Sequence, residues 1–255
     1  MKIYAVSDLH VDYPANKQWL DALSLVDYQD DILILPGDVT DNLILLGEVF
    51  SQLKKRFSQV MYVPGNHDLW VTRGGTGTSL NKAEQVLALA HREGVLTEPW
   101  SYENLTIVPL LSWYDYSFGE PSDWLRRSWM DYHLCNWEEF HDEASAVTDF
   151  FLAKNERFFP VENRQIISFS HFLPRIDLMP DHIPTEHRRI YPVLGSVRLD
   201  KQIRQLGSYL HVYGHSHVNR EVNIDGISYI NNAFGNPRET RIAKKALKCI
   251  YQFSH

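Results

Sequence analysis

The chain has 255 residues, which is enough for one large domain or two small ones. Its hydrophobic content of 44 % and charged content of 22 % are ordinary for a globular protein with a sizeable core. The formal net charge of −7 argues against a general nucleic-acid-binding surface, which needs a basic face, although it leaves room for a local basic patch. The sequence has no run near the roughly 18 apolar residues of a membrane-spanning helix, so we expect no membrane partner.

The two cysteines and the N-terminal residues indicate where in the cell the protein is expected. Cys135 and Cys249 lie far apart and form no Cys-x-x-Cys motif. The apolar start, residues 1–6, is too short for the core of a signal peptide. Both features are typical of a reduced protein with free thiols, so we expect a cytoplasmic location.

The first part of the chain alternates between strand and helix patterns. Short apolar runs at 3–7, 32–35 and 60–63 predict buried strands, and helical spacing over 16–26 and 43–57 separates them. This order indicates βαβ units in a parallel sheet with right-handed crossovers. Polar clusters that follow the strands should therefore meet at one sheet edge, where open α/β sheets bind ligands.

A glycine-rich stretch at 73–79 follows the third predicted strand. Such loops can cradle phosphate, but this one lacks the P-loop lysine, and a rim loop is the alternative. Beyond it, residues 80–91 predict a helix and 105–111 a strand.

Residues 112–160 form an aromatic-rich insertion with four of the seven tryptophans. Its aromatic side chains can pack it onto the sheet edge. Alternatively, it forms a partial lid over a site, with Arg126 or Arg127 reaching an anionic group. The part from 142 to 158 has the pattern of a helix.

The remainder mixes parallel and antiparallel signals within what we predict to be a single domain, 1–255. Apolar runs at 164–170, 209–213 and 247–253 predict strands, and 198–206 predicts a helix. Alternation over 222–230 around an Asp-Gly pair predicts a β-hairpin. These patterns indicate an α/β fold with one mixed sheet, or with two packed sheets and helices outside.

Five polar clusters each follow a predicted strand, which is hard to reach by chance even though each alone could be a turn, a cap or a core residue. They are Asp8/His10, Asp38, Asn66/His67/Asp68, His171 and His215/His217. Imidazole, carboxylate and amide ligands without thiolate suit Mn, Fe or Zn. We therefore predict two divalent metal ions about 3.5–4 Å apart, with the carboxylate of Asp38 as the bridge.

The spacing within the clusters suggests where the side chains point. Asp8 and His10 would point to the same side of an extended chain, and His215 and His217 would do the same or diverge to two ions. His67 would face away from Asn66 in extended backbone and so face a substrate, with a pKa suited to proton transfer. Asp68 would orient His67, or would instead bond a backbone amide in the turn.

The order of these clusters resembles that of the calcineurin-like metallophosphoesterase superfamily. Its blocks are Asp-x-His, Gly-Asp, Gly-Asn-His, a separate His and Gly-His-x-His. Here they read Asp8-Leu9-His10, Gly37-Asp38, Gly65-Asn66-His67, His171 and Gly214-His215-Ser216-His217. The resemblance implies a sandwich of two mixed β-sheets flanked by α-helices.

The resemblance also implies a ligand set and a mechanism. One metal would be held by Asp8, His10, Asp38 and His217, and a second by Asp38, Asn66, His171 and His215. A metal-bridging hydroxide would attack phosphorus, and His67 would act on the leaving oxygen or the phosphoryl group.

Departures from the pattern narrow the expected activity. Residues 37–42 lack the Arg-Gly of serine/threonine protein phosphatases, Asp68 replaces the Glu of their Gly-Asn-His-Glu, and the chain is short for a double-strand-break nuclease. We therefore predict an enzyme that hydrolyses phosphomonoesters or small phosphodiesters, with a small-molecule phosphate ester as its partner. The alternatives are a nuclease of the same superfamily and a metal-bearing protein-interaction scaffold without turnover.

Overall fold

The computed structural model describes residues 1–71, 77–162 and 165–253. Residues 73–76 of the glycine-rich stretch, where a rim loop is predicted, lie outside the described residues. None of the helices in the described ranges is both long enough and apolar enough to cross a lipid bilayer.

Ten strands are present in the described residues. They are β1 Lys2–Ala5, β2 Ile32–Pro36, β3 Gln59–Val63, β4 Trp100–Tyr102, β5 Leu105–Pro109, β6 Gln165–Phe169, β7 Leu210–Tyr213, β8 Arg220–Ile224, β9 Ile227–Asn231 and β10 Lys248–Gln252. Every predicted strand is found. The short β4, which pairs antiparallel with β5, is additional and has too few residues to show a pattern.

Eight α-helices of four residues or more are present in the same residues. They are α1 Pro14–Asp21, α2 Leu43–Lys54, α3 Ser79–Arg92, α4 Asp123–Ser128, α5 Asp131–Leu134, α6 Ala144–Asn155, α7 Thr185–Arg188 and α8 Val197–Leu206. The predicted helix over 16–26 is shorter than expected, because α1 stops at Asp21 and Val26 is 75 % exposed. Local signals fix other ends: the Asn42 side chain caps the start of α2, and Gly207, at φ +73°, ends α8.

The strands form two mixed sheets. The first has the order β10-β1-β2-β3, in which β1, β2 and β3 are parallel and β10 is antiparallel. The second has the order β4-β5-β6-β7-β9-β8, in which β5, β6, β7 and β9 are parallel and the two outer strands are antiparallel. The α/β architecture of two mixed sheets is therefore confirmed.

The two sheets pack face to face through a shared apolar core. This core contains Ile3, Ile32, Ile34, Met61 and Val63 of the first sheet and Ile107, Ile167, Phe169, Val212 and Ile230 of the second. All five residues of β2 are buried, as its continuous apolar run indicates for a central parallel strand. Apolar residues of α1, α2 and α3 cover the outer face of the first sheet, and those of α6 and α8 cover the second.

The aromatic-rich insertion packs against the sandwich. Trp113, Tyr114, Trp137 and Phe151 are buried in one cluster with Phe172, which follows β6. The guanidinium of Arg126 lies over the ring of Tyr116 at 5.9 Å. These aromatic residues therefore pack the insertion onto the sandwich, as one of the two alternatives predicted. The same segment also supplies Met130 and Asp131 to the site described next.

Candidate metal centre

All seven predicted ligand residues converge where parallel strands end. Asp8 and His10 follow β1, Asp38 follows β2, Asn66 follows β3, His171 follows β6, and His215 and His217 follow β7. Six of the seven are buried, Asp8 and His171 completely, and His217 is partly exposed. The two packed sheets thus bring together side chains that lie as far apart in sequence as Asp8 and His217.

The backbone at this cluster is left-handed at five of the seven ligand positions. Asp8, His10, Asp38, His215 and His217 have φ values between 42° and 64°. Such a conformation costs a non-glycine residue roughly 1–2 kcal/mol and collects at functional sites. The expectation that Asp8 and His10 alternate along an extended strand is therefore wrong; both nevertheless reach His217.

Two glycines make room for this arrangement. A Cβ atom on Gly65 would lie 2.2 Å from Oδ1 of Asp38 and 2.7 Å from Cε1 of His171. Gly37, at φ +74°, packs directly on Gly65, because a Cβ atom there would lie 2.4 Å from the Gly65 nitrogen. The Gly-Asp and Gly-Asn-His blocks thus need glycine so that the loops can approach the ligand atoms.

The ligand atoms fall into two groups. Asp8, His10 and His217 form the first, with 3.2 Å between the Nε2 atoms of the two histidines and 3.3 Å from His217 Nε2 to Asp8 Oδ1. Asp38, His171 and His215 form the second, with 3.1 Å from His171 Nε2 to His215 Nδ1. These separations suit atoms that share an ion at about 2.0–2.2 Å.

Asp38 presents one carboxylate oxygen to each group. Its Oδ2 lies 3.8 Å from His10 Nε2, and its Oδ1 lies 3.5 Å from His171 Nε2. The Oδ1 atom of Asn66 joins the second group at 3.0 Å from His171 Nε2. This orientation is what a carboxylate that bridges two ions requires.

The hydrogen bonds of the rings show which nitrogen atoms are free to bind a metal. His171 Nδ1 lies 2.9 Å from the Pro36 carbonyl, and His215 Nε2 lies 3.0 Å from the Val193 carbonyl. A carbonyl oxygen can only accept, so these nitrogens carry the protons and donate. His171 Nε2 and His215 Nδ1 therefore face each other as lone pairs.

The same reasoning applies to the remaining ligands. His217 Nδ1 lies 2.7 Å from Oε2 of Glu239, and the Asn66 amide nitrogen donates to Asp131 at 2.8 Å. Both contacts turn a candidate ligand atom, Nε2 of His217 or Oδ1 of Asn66, toward the cluster. Lone pairs and carboxylate oxygens that converge in a buried site need positive charge between them, so the donor set fits divalent cations.

Burial and neighbouring charges shift the pKa values of these groups. Burial lowers the pKa of His10 to about 3, which keeps its imidazole neutral as metal binding requires. Burial also lowers the pKa of His217, but the carboxylates of Asp8 and Glu239 raise it to about 10 overall. A metal ion that bound His217 would therefore displace a proton.

His67 lies at the edge of the cluster. Residues His67–Leu69 form a 3-10 turn and Asn66 is helical, so the extended backbone expected here is not found. The His67 ring packs on Trp70 with 3.6 Å between centroids, and its Nε2 lies 3.8 Å from Asp38 Oδ2. The nitrogen and oxygen atoms of His10, Asp38 and His67 lie within 4.8 Å of one another. Burial and the neighbouring histidines lower the pKa of His67 well below its usual value, which corrects the expectation of a pKa near neutrality.

Asp68 serves the backbone of the loops and not His67, which corrects its assignment as a catalytic residue. Its two oxygens accept hydrogen bonds of 2.8–3.1 Å from the backbone amides of Asp38, Val39, Thr40 and Gly65. The alternative given by the sequence, a bond to a turn amide, is thus the observed one. Asp68 ties the loop after β2 to the loop after β3.

Asp131 is a site residue that sequence reasoning missed. It is buried in the aromatic insertion and accepts hydrogen bonds from Asn66 Nδ2, Trp70 Nε1 and Trp129 Nε1 at 2.7–2.8 Å. These contacts fix the Asn66 carbonyl toward His171. One carboxylate 65 residues from Asn66 gives no local sequence signal for this role.

Replacing Asp131 with alanine is expected to weaken manganese binding about 10- to 100-fold, as is typical when a residue that orients a ligand is lost. Titration of Mn²⁺ into the purified variant measures the effect. Asp123→Ala, which changes an exposed residue of the same insertion, is the control and should bind as the wild type does. An Asp131→Ala protein with wild-type affinity and only a lower melting temperature would contradict the orienting role.

Glu239 is the second missed residue. Its Oε2 accepts from His217 Nδ1 and from the Asn236 amide, both at 2.7 Å. Gly235 allows this contact, because a Cβ atom there would lie 2.5 Å from the same oxygen. The position follows no predicted strand directly, and so it gave no signal.

For Glu239→Ala we expect a similar 10- to 100-fold loss of metal affinity, since His217 loses both its orientation and the charge that raises ligand basicity. The metal affinity of Glu239→Gln, which keeps an acceptor oxygen, should lie between those of the wild type and Glu239→Ala. The measurement is again Mn²⁺ titration, and Glu84→Ala on the exposed side of α3 is the control. Equal affinities for all four proteins would refute the role.

A cavity of about 450 Å³ opens beside the cluster. His10, His67 and His217 of the cluster line it, and the other lining residues include the carboxylates of Asp12, Asp41 and Glu239 and the side chains of Tyr13, Met130 and Asn236. Tyr13 and Met130 are 42 % and 43 % exposed, so the cavity has apolar groups at its rim. A ligand that enters there reaches His67 and the first ligand group.

Known proteins resemble this chain in sequence and in fold. The family model of calcineurin-like phosphoesterases matches residues 1–219. The acyl-carrier-protein phosphodiesterase PptH of Mycobacterium tuberculosis (strain ATCC 25618 / H37Rv) is 26 % identical over 269 residues, which cover 95 % of this chain and 80 % of that protein. The crystal structure of the phosphopantetheinyl hydrolase PptH from Mycobacterium tuberculosis superposes with a TM-score of 0.83 at 24 % identity, over 98 % of this chain and 95 % of the other.

Proposed function

Because the chain belongs to the calcineurin-like phosphoesterase family, we propose that it uses two metal ions to hydrolyse the phosphodiester that links phosphopantetheine to a carrier protein. Metal-dependent hydrolysis of phosphate esters follows from the family itself. We propose, in addition, the number of ions, the residues that hold them and the substrate.

One observation carries the proposed mechanism: acceptor atoms of seven side chains converge in two groups, and Asp38 has one oxygen in each. Asp8, His10, Asp38 and His217 would hold one ion, and Asp38, Asn66, His171 and His215 the other. When bound, two such ions acidify a water molecule and neutralise charge on a phosphoryl group. Manganese, iron and zinc all suit these nitrogen and oxygen ligands.

The protein's own residues supply the rest of the reaction. Water adds to phosphorus, the bond from phosphorus to the carrier oxygen breaks, and that oxygen must gain a proton. His67 lines the cavity beside the cluster and is held by its contact with Trp70, so we assign it as the donor of this proton. Asp131 and Glu239 keep Asn66 and His217 in position.

Two observations support a protein-linked substrate over the small-molecule ester predicted from sequence. The match to a phosphodiesterase of acyl carrier protein extends over 95 % of this chain. The cavity is also open, with exposed Tyr13 and Met130 at its rim, which leaves space for an arm that reaches in from a bound protein.

The experiment compares a phosphopantetheinylated acyl carrier protein with bis-(p-nitrophenyl) phosphate, p-nitrophenyl phosphate and single-stranded RNA, each with Mn²⁺. We expect mass spectrometry to show conversion of the carrier protein to its form without the arm, with a higher kcat/KM than for the other substrates. Preferred cleavage of RNA would support the nuclease alternative. Cleavage of the nitrophenyl esters without any attack on the carrier protein would leave the enzyme class intact and refute the proposed substrate.

A further inference from the structure

The loop after β9 carries a basic surface in an acidic protein. Arg238, Arg241 and Lys244 lie within seven residues, and all three are exposed. Ile242 lies between them and is 41 % exposed. We call these four residues the basic ledge.

The ledge is fixed to the body of the protein. The Ile242 carbonyl accepts from the Asn219 amide at 2.8 Å, and the Ala243 amide donates to the Glu239 carbonyl at 3.1 Å. Lys245 turns inward and donates to the carbonyl of Asn236 at 2.7 Å. Ala243 is 3 % exposed and anchors the middle of the loop. The exposed side chains therefore project from a constrained backbone.

The ledge adjoins the catalytic cavity. Arg238 of the ledge lies between Asn236 and Glu239 in sequence, and both of these residues line the cavity. Glu239 also forms a hydrogen bond with His217. A macromolecule that rests on the ledge would thus lie at the mouth of the site. Ile242 can add an apolar contact at the same surface.

Among the described residues, no carboxylate forms an ion pair with Arg238, Arg241 or Lys244. Three arginines elsewhere, Arg175, Arg198 and Arg204, each pair with aspartates. Three unpaired cations beside the site of a chain with net charge −7 indicate a negatively charged partner.

We propose that the basic ledge docks an acidic surface of the carrier protein whose phosphopantetheine arm enters the cavity. This inference rests on the proposed function. It goes beyond the proposed function by naming the surface of this chain that binds the carrier protein, whose residues are not among those that line the cavity. Charge complementarity of this kind raises association rates and decides between partners more than it changes the chemical step.

The test is a charge-reversal variant, Arg238→Glu/Arg241→Glu/Lys244→Glu. With a phosphopantetheinylated acyl carrier protein at low salt we expect kcat/KM to fall at least about tenfold, through KM, because steering and docking are lost. With bis-(p-nitrophenyl) phosphate, kcat/KM should stay at the wild-type value. The wild-type rate on the carrier protein should fall with added salt, and the rate of the variant should not.

A matched control reverses two exposed lysines that do not line the cavity, Lys55→Glu/Lys201→Glu. Each reversal changes the net charge by two units, so the control changes it by four units and the triple variant by six. The control should keep the wild-type KM for the carrier protein. If the triple variant loses activity on bis-(p-nitrophenyl) phosphate, the substitutions have disturbed its folding. The single variants Arg241→Glu and Lys244→Glu are then measured instead. Each should raise the KM for the carrier protein severalfold.

The outcomes separate the two proposals. Unchanged KM for the carrier protein in the triple variant, with normal wild-type turnover, refutes the ledge alone. No turnover of the carrier protein by the wild type refutes the proposed substrate and the ledge with it. Binding of fluorescent single-stranded RNA that is lost in the triple variant, with carrier turnover unaffected, would assign the ledge to nucleic acid instead.

Discussion

Asp38→Ala is expected to remove both metal ions, or to leave one weakly held, and to lower kcat/KM for a phosphodiester by about a thousandfold or more. The reason is that, among the described residues, Asp38 is the one whose two carboxylate oxygens each join a different ligand group. Metal-ion stabilisation of a phosphoryl-transfer transition state is worth several kcal/mol, and each 1.36 kcal/mol is a factor of ten in rate. Elemental analysis of manganese-loaded protein and steady-state kinetics measure the two effects.

The control is Asp30→Ala, which removes an exposed carboxylate and should bind two ions with normal kinetics. Far-UV circular dichroism shows whether Asp38→Ala is folded. Since Asp38 is buried, the more conservative Asp38→Asn variant provides a second measurement with nearly the same volume. A variant that loses one ion while the other keeps its native affinity would show that the bridge is misassigned.

His67→Ala should keep both metal ions and the fold, yet lower kcat at least about a hundredfold for phosphodiesters with alkyl leaving groups. Proton donation to a departing alkoxide contributes typically 10²–10⁴-fold. The loss should be smaller for nitrophenyl esters, because a nitrophenolate leaves without a proton. Parallel measurement of kcat on an alkyl and a nitrophenyl ester therefore gives a ratio that reports on His67 directly.

His91→Ala, at an exposed position of α3, is the control for the removal of an imidazole and should match the wild type on both esters. Near-normal kcat on alkyl esters in His67→Ala would exclude a proton-transfer role. Loss of an ion would show that His67 is a ligand, which its 3.8 Å separation from Asp38 permits.

The sequence predicted which residues converge in the candidate site because each follows an apolar strand within a few positions. The strand pattern places Asp38 and Asn66 at one sheet edge, and the order of the blocks matches a known family. His171 and His215 become their neighbours only because the two sheets pack face to face. The residue pattern alone left open one sheet or two, and the family resemblance decided between them.

Local conformation was the part that the pattern did not predict. Side-chain direction at Asp8 and His10 was argued from an extended strand, whereas both residues have left-handed backbone. A period-two pattern cannot reveal this, because the conformation is imposed by loops packed against one another. Asp68 shows the same limit, since its four amide partners come from two separate loops.

Orienting residues were missed for a related reason. Asp131 lies in the aromatic insertion and Glu239 in the loop after β9, and neither stands beside a ligand residue in sequence. Only the folded chain brings them within hydrogen-bond distance. Carboxylates that orient ligands are thus found by tracing the second nitrogen of each histidine, and the amide nitrogen of Asn66, to its partner.

The most direct test of the account is a titration of the metal-free wild-type protein with Mn²⁺, in which bound ions and hydrolysis of bis-(p-nitrophenyl) phosphate are followed together. We predict that two ions bind per chain and that full activity requires both. Saturation of activity at one ion per chain, or binding of a single ion at all concentrations, would contradict the two-metal centre on Asp38.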